Sequence, residues 1–318
     1  MPQASPPTTH VTRHRATVDA PGAVVFDLLA DVSLWPHLFT PTVHAQRIAG
    51  DDSHERIRLW ALANGEVRSW ISRRDLDRRA LRITFRQDVS QHPVAAMGGT
   101  WQISEGPDDS CTVELLHDFA AVDDDPRGVE WIERAVERNS TAELAALKAG
   151  AETRVRCPEL VMSFEDAVTI DGSAQAAHDF IRRCDLWPER LPHVARLDLV
   201  EEEPGIQLMS MDTRAPDGTV HTTESVRVVL EDGRIVYKQT RVPALMTAHT
   251  GQWQLTAGVD GVRAASRHTV VLNPGTLADH VGLPTVDAAR AAVRAALGGN
   301  SLATLRLAKS HAEGGTRE

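Results

Sequence analysis

The chain has 318 residues, of which 42% are hydrophobic, 25% charged and 4% aromatic, with a formal net charge of −10; this is the make-up of one or more ordinary folded domains, not of a fibrous or disordered chain. The acidic balance repels phosphate and argues against nucleic acid as a partner; it reads as a solubility feature, or alternatively as a face for a basic partner. No run of about 18 apolar residues is present to cross a membrane, and the three cysteines Cys111, Cys157 and Cys184, without a C-x-x-C pair, exclude a disulfide framework and a thiolate zinc site and fit a reduced, cytoplasmic setting.

The N-terminal stretch MPQASPPTTHVTRH is polar and proline-rich, lacks a secretory core, and reads as a short disordered arm. Thr12–Val18 alternates as a strand does. Asp19-Ala20-Pro21 predicts a helix start, with Asp19 as N-cap and Pro21 in the first turn. Val24, Val25, Leu28 and Leu29 then recur at helical spacing until Trp35-Pro36, which stops the helix. Leu38-Phe39 adds a short apolar patch. Extended segments follow at Val43–Ile48, His54–Leu62, Val67–Leu76, Ala80–Gln87, Gly99–Ser104 and Thr112–Phe119. Turn chemistry joins most of them, with Asn64-Gly65 as the clearest hairpin signal. Pro126–Lys148 closes the series as a long amphipathic helix carrying Val129, Ile132, Val136, Leu144 and Leu147.

The same series is then written again. DVSLWP at Asp31–Pro36 returns as RCDLWP at Arg183–Pro188, and Ser72/Arg74 returns as Ser225/Arg227. Phe85-Arg86-Gln87 matches Tyr237-Lys238-Gln239, and Trp101-Gln102-Ile103 matches Trp253-Gln254-Leu255, all at an offset of about 152 residues. Asn139-Ser140 finds Asn300-Ser301 at a longer offset. Asp217-Gly218 repeats the turn, Ser173–Arg183 the first helix, Ala195 to Val271 the strands, and Thr285–His311 the closing helix, where Gly298-Gly299 is a place to bend. The reading is therefore α+β: two tandem domains, 1–152 and 153–318, with TRVRCPEL opening the first strand of the second. Each is an antiparallel sheet curled around a long C-terminal helix, with an elongated space between them as the default ligand site.

Alternation places Trp70, Ser72 and Arg74 on one face of their strand, against Val67, Ser69, Ile71 and Arg73 on the other. If Arg74 faces the apolar space, its permanent charge and rigid donor fork can stabilise an enolate or alkoxide, Ser72 can donate to a neighbouring oxygen, and Arg86 on the next strand adds a second positive charge. Otherwise these arginines are solvent-facing strand residues. His117 shares a face with Val113, Leu115 and Phe119, and His268 with Val262, Ala264, Ser266 and Val270; each is either a general acid or base or a core histidine with a satisfied hydrogen bond. Asn139 and Asn300 interrupt the closing helices, as polar contacts into the space or as kink or surface positions. There is no G-x-S-x-G, Walker loop, G-x-G-x-x-G after a strand or H-E-x-x-H, and the 14 histidines are scattered, so neither metal nor nucleotide is implied.

Taken together, LFTPTVHA after DVSLWP, SWISRR, FRQ, MGGTWQI and LLHDF, with the collinear WPERLPHV, ESVR, YKQTR and GQWQL, resemble the aromatase/cyclase family of bacterial type II polyketide synthases. That family belongs to the START-like, Bet v 1-like helix-grip superfamily, and two tandem copies resemble its di-domain subclass. The resemblance implies a poly-β-ketone held as an acyl-carrier-protein thioester, the other synthase components as partners, and no cofactor. The implied reaction is an intramolecular aldol closure of the first ring between C7 and C12 with dehydrative aromatisation, or aromatisation of a ring already closed on a ketoreduced chain. Arg74 would polarise the carbonyl, with Ser72, Trp70 and Asn139 shaping and hydrogen-bonding the chain; Arg227, Ser225 and His268 hold the matching positions. Trp35, Thr42, Arg86 and Trp101, with His221, Thr223, Trp253 and Asn300 in the second copy, complete the implied substrate-binding set. The family often has a tyrosine seven residues after the W-P tryptophan. Thr42 and Val194 stand there instead, which leaves His117 or a bound water as proton carrier. The other function open to such a fold is a carrier that binds a hydrophobic polyketide or lipid without turnover.

Overall fold

A computed structural model describes residues 7–63, 65–214, 218–277 and 285–314; the turn residues Asn64 and Asp217 and the start of the N-terminal arm lie outside these. The chain divides into two compact units, Met1–Pro158 and Glu159–Glu318. In the first, β1 (His10–Val18) leads to α1 (Gly22–Ala30) and α2 (Trp35–Leu38). Strands β2 (Thr42–Gly50), β3 (His54–Ala63), β4 (Glu66–Asp77), β5 (Arg82–Gln87), β6 (Val94–Glu105) and β7 (Cys111–Ala121) follow, and α3 (Pro126–Arg156) ends the unit. The second repeats this with β8 (Val161–Ile170), α4 (Ala174–Arg182), α5 (Trp187–Arg190), β9 (Val194–Val200), β10 (Ile206–Arg214), β11 (Val220–Val229), β12 (Ile235–Arg241), β13 (Met246–Gly258), β14 (Gly261–Leu272), α6 (Pro274–Leu277) and α7 (Val286–Ala312). Each has one seven-stranded sheet, ordered β1-β7-β6-β5-β4-β3-β2 and β8-β14-β13-β12-β11-β10-β9. Every neighbouring pair is antiparallel.

The long helices form where the sequence supplies both a start and a stripe. Asp125 accepts hydrogen bonds from the N–H groups of Arg127 and Gly128 ahead of Pro126 in the first turn. Ile132, Val136, Ser140, Leu144, Leu147 and Ala151 then form the buried face of α3. Leu144 and Leu147 pack with Phe26, Leu29, Trp101, Val113 and Leu115, each such side chain contributing about 1.5–3 kcal/mol when fully buried. Thr285 caps α7 through Ala288 N–H, and Leu305 and Ala308 join Phe180, Ile181, Ile235 and Trp253.

Several local expectations are corrected. The strand β1 already begins at His10, inside the stretch read as a disordered arm. Asp19 does not cap α1; it pairs with Arg156. The orphan N–H of Gly22 is met instead by Glu105 from the end of β6, a partner no local signal announces. Trp35-Pro36 does not stop α1, which ends at Ala30; Trp35 starts α2, with the proline in its first turn. The closing helix runs past Lys148 to Arg156, so Thr153–Arg156 are helical and the next strand begins at Val161. Helix α7 continues as one element through Gly298-Gly299.

Candidate functional site

Cross-strand register lines up one row of side chains in each unit. In the first, Glu55 on β3 opposes Arg74 on β4, Arg74 opposes Phe85 on β5, Phe85 opposes Gly99 on β6, and Gly99 opposes His117 on β7. In the second, the corresponding row is Gln207, Arg227, Tyr237, Gly251 and His268 on β10 to β14. The rows lie on the helix-facing side: Ser140 of α3, itself fully buried, reaches His117. The glycines are needed for close approach. A Cβ at Gly99 would stand 2.6 Å from Phe85 Cζ, and one at Gly251 would stand 2.5 Å from Tyr237 Cζ, so the ring of each row lies across its glycine.

Arg74 is buried, with 2% of its side chain exposed, as is Glu55 at 2%. Its terminal nitrogens donate to the carbonyls of Leu29 and Ala30 at 2.9 Å each, capping the C-terminus of α1. Its Nε stands 2.9 Å from Glu55. The guanidinium lies over Trp35, 5.2 Å from the ring centroid. Burial lowers Arg74 to about 10, against the pull of the Glu55 charge, and it stays a cation. Glu55 also accepts from Arg47 Nε at 2.6 Å. Two bonds to backbone leave one N–H on each terminal nitrogen of Arg74 for another partner.

Ser72, two residues along the same face, is buried, and its hydroxyl makes no hydrogen bond among the described residues. Trp70, Phe85, Met97 and His117 on this side are only half-buried. The Trp35 indole N–H is buried without a partner. His117 meets the Phe85 ring edge-on and has its Nδ1 3.3 Å from Ser140 Oγ. Burial holds it down at about 4, so it is neutral near pH 7 and retains a lone pair. One turn beyond Ser140, Glu143 is half-buried, bonded to nothing among the described residues, and pushed by burial up to about 7.

The second row differs. Arg227, 2% exposed, lies over Trp187 at 4.9 Å and donates to Ile181 O at 2.8 Å. Its opposing residue is the neutral Gln207, which donates to Glu201 and to Arg182 O. Its Nε and NH1 have no hydrogen-bond partner. The nearby Cys184 sulfur is a weak acceptor, and burial keeps it a thiol. Tyr237 Oη stands 3.0 Å from His268 Nδ1, His249 Nε2 is also 3.0 Å from that atom, and Ser266 Oγ is 3.2 Å from His268 Nε2. Phe164 stacks on the His268 ring. Burial raises the Tyr237 phenol above its usual range and lowers His249 to about 3 and His268 to about 4. Ser225 and Thr223 are buried beside this row.

Other expected site residues stand elsewhere. Arg86 opposes Arg73, not Arg74, so it lies on the far face of the sheet, exposed and paired with Asp118. Asn139 and Asn300 are exposed; Ser140 and Ser301, one position on, are the buried residues. His221 is exposed near the start of β11. Thr42 is buried, while Trp101 and Trp253 belong to the hydrophobic cores. Residues not singled out from the sequence are Glu55, Ser140, Glu143, Tyr237 and His249. The available signals were the only tyrosine of the chain, aligned with a phenylalanine in the repeat, and a polar residue next to each asparagine. Among the described residues no group of His, Cys, Asp or Glu is arranged to hold a metal ion, and no helix is long and apolar enough to cross a membrane.

Residues 8–152 match the family described as polyketide cyclase / dehydrase and lipid transport. The chain is 43% identical to the actinorhodin polyketide synthase bifunctional cyclase/dehydratase of Streptomyces coelicolor over 97% of this chain and 98% of that protein. It is 41% identical to the granaticin counterpart of Streptomyces violaceoruber over 98% and 99%. The crystal structure of the di-domain ARO/CYC BexL, from the BE-7585A biosynthetic pathway, superposes with a TM-score of 0.90 at 50% identity over 97% of this chain and all of that one. The two relatives and the crystal structure match nearly end to end through both units, and on them the chain belongs to the di-domain aromatase/cyclases of bacterial type II polyketide synthases.

Proposed function

We propose that the protein is a cytoplasmic, cofactor-independent polyketide cyclase and dehydratase. It acts on an acyl-carrier-protein-bound poly-β-ketone, joining C7 to C12 in the first ring and dehydrating that ring to an aromatic one, in the making of an aromatic antibiotic. The observation that carries this is the first row: a buried cation, an unbonded serine hydroxyl and a neutral imidazole on one helix-facing side, in a chain collinear with bifunctional cyclase/dehydratases.

A methylene between two ketones is acidic, so a modest base suffices. The neutral His117 takes that proton as the enolate forms, with Glu143 as a second proton carrier on α3. The remaining N–H groups of Arg74 and the Ser72 hydroxyl stabilise the enolate oxygen. The enolate carbon attacks the chosen carbonyl, and the resulting alkoxide recovers a proton. Trp35, Trp70 and Phe85 fold the chain so that the two carbons meet, which is an effect of orientation. Nothing in these steps oxidises or reduces the substrate, so no cofactor is required.

The test is product analysis of a reconstituted minimal synthase with and without the protein, in mixtures containing and lacking a ketoreductase. A shift to a first-ring aromatic product in one mixture is expected and assigns the substrate's reduction state. No shift in either, with folded protein and carrier protein present, overturns the reading in favour of the transport role that the family description also names.

A further inference from the structure

The second unit holds chemistry that ring closure in the first does not use. Arg227 is buried against a neutral glutamine, with Nε and NH1 unpartnered. A buried guanidinium with free donors and no opposing carboxylate is suited to a carbonyl or oxyanion. Directly across the strand pair is Tyr237, half-buried on the same face. Its oxygen is tied to His268, which is tied in turn to His249 and Ser266. A core needing only bulk here has a ready solution, the phenylalanine of the first unit. A phenol backed by two imidazoles and a serine instead adds a transferable proton and groups that steady its loss.

We propose, on the reading that the protein is a polyketide cyclase and dehydratase, that the second unit is a separate dehydration site: Arg227 holds the ketone of a cyclised β-hydroxy ketone, and Tyr237 protonates its leaving hydroxyl. The Cα–H bond breaks and its electron pair becomes the new C=C bond. The C–O bond breaks, and the departing hydroxyl takes the Tyr237 proton and leaves as water. The Cα proton refills the Tyr237 oxygen, so the protein ends as it began, and one water is lost. His268 and His249 are positioning residues. By donating toward the tyrosine oxygen, His268 carries the phenolate between the two transfers. The Arg227 charge favours enolisation of the ketone it holds.

The test is Tyr237→Phe in the full chain, a substitution that gives this row the ring already present as Phe85. Wild type and variant are compared in the reconstituted synthase, following each product by mass. The expected result is that the variant still closes the ring but accumulates a cyclised product heavier than the aromatic one by one water, with the aromatic product formed at least about tenfold more slowly. Aromatic product formed by the variant at the wild-type rate overturns the inference and leaves the cyclase reading standing. Uncyclised chain accumulating with the folded variant also overturns it, because Tyr237 would then act before ring closure. Wild type without effect on the synthase overturns both. As a second readout, Tyr237 is the only tyrosine, so phenolate absorbance reports its titration directly. Loss of one hydrogen-bonding partner in His268→Phe should shift that titration. An unchanged titration would remove the proposed relay.

Discussion

The two halves set different side chains on the same backbone. Their rows match position for position except at two places, Glu55 against Gln207 and Phe85 against Tyr237. In the first unit the carboxylate claims one side of Arg74 and also binds Arg47, leaving a cation locked into the scaffold with its outer donors available. In the second the carboxylate is gone, Arg227 keeps unpartnered donors, and a phenol–imidazole chain stands where the first unit has a bare ring. A repeated sheet face thus differs in which residue opposes the buried arginine and which ring lies across the glycine, on the same register of strands.

The largest expected effect is on stability. Arg74→Ala leaves Glu55 buried beside one arginine and frees the Leu29 and Ala30 carbonyls, and should cost about 3–5 kcal/mol in denaturant unfolding. Arg227→Ala strands no carboxylate and should cost about 1–3 kcal/mol, the loss of a bond to one carbonyl and of packing on Trp187. Equal costs would break the comparison at its first difference.

Next comes activity. His117→Ala should lower ring closure by about 100-fold or more in single-turnover assays with the folded variant. Glu143→Gln should lose the pH dependence that a carboxyl at about 7 gives to the cyclisation rate. A retained limb near that pH would take Glu143 out of the reaction.

Acid should then separate the halves. His117 and His268 are held at about 4 and His249 at about 3, below the ordinary 6.5. Between these values the unfolded chain binds more protons, so the stability these histidines permit is complete above about 6.5 and is lost as pH falls toward 4. Glu143 has the opposite sign: raised from 4.5 to about 7, it contributes below 4.5 and that contribution is lost as pH rises through 7. The first unit carries one such histidine and this offsetting carboxyl; the second carries three histidines of one sign, since burial also lowers His193. Hydrogen exchange resolved by peptide should therefore show β12 to β14 losing protection before β5 to β7 as pH drops from 6.5 to 4. The smallest effect belongs to Phe85→Tyr, which installs the second unit's phenol opposite His117. It should change stability by less than about 1 kcal/mol and add a second titrating tyrosine.

The element order and the doubling were legible because a period-2 pattern, an apolar stripe and a fixed repeat offset are local or nearly local signals. The ends of elements were not, since Glu105 caps α1 from a distant strand. At the candidate site, alternation groups Ser72 with Arg74 on one strand face, and the apolar neighbours of His117 group it with the core-facing residues of β7. Asparagine drew attention on α3 because it is a poor helix former, yet one residue rotates a helix by about 100°, and that rotation gives the buried position to the unremarked Ser140. Glu55 sits just after an acidic turn and reads as another surface charge. Only the register that places it opposite Arg74 shows it as a buried counterion. Tyr237 served as a mark of the repeat, and its meaning lay in differing from Phe85.

The strand order has a consequence for how the molecule is made. In each unit the first strand pairs with the last, His10 beside Phe119 and Val161 beside Val271. The strand that leaves the ribosome first waits for nearly the whole sheet before it finds its partner. Contacts so distant in sequence slow folding, because the chain must be closed into a large loop before they form. The meander β2 to β7 can instead assemble hairpin by hairpin as it emerges. A nascent first unit therefore carries an unpaired β7 edge until β1 docks, and a ribosome pausing after the codons for α3 would give that docking time to finish before the second copy of the same strands appears.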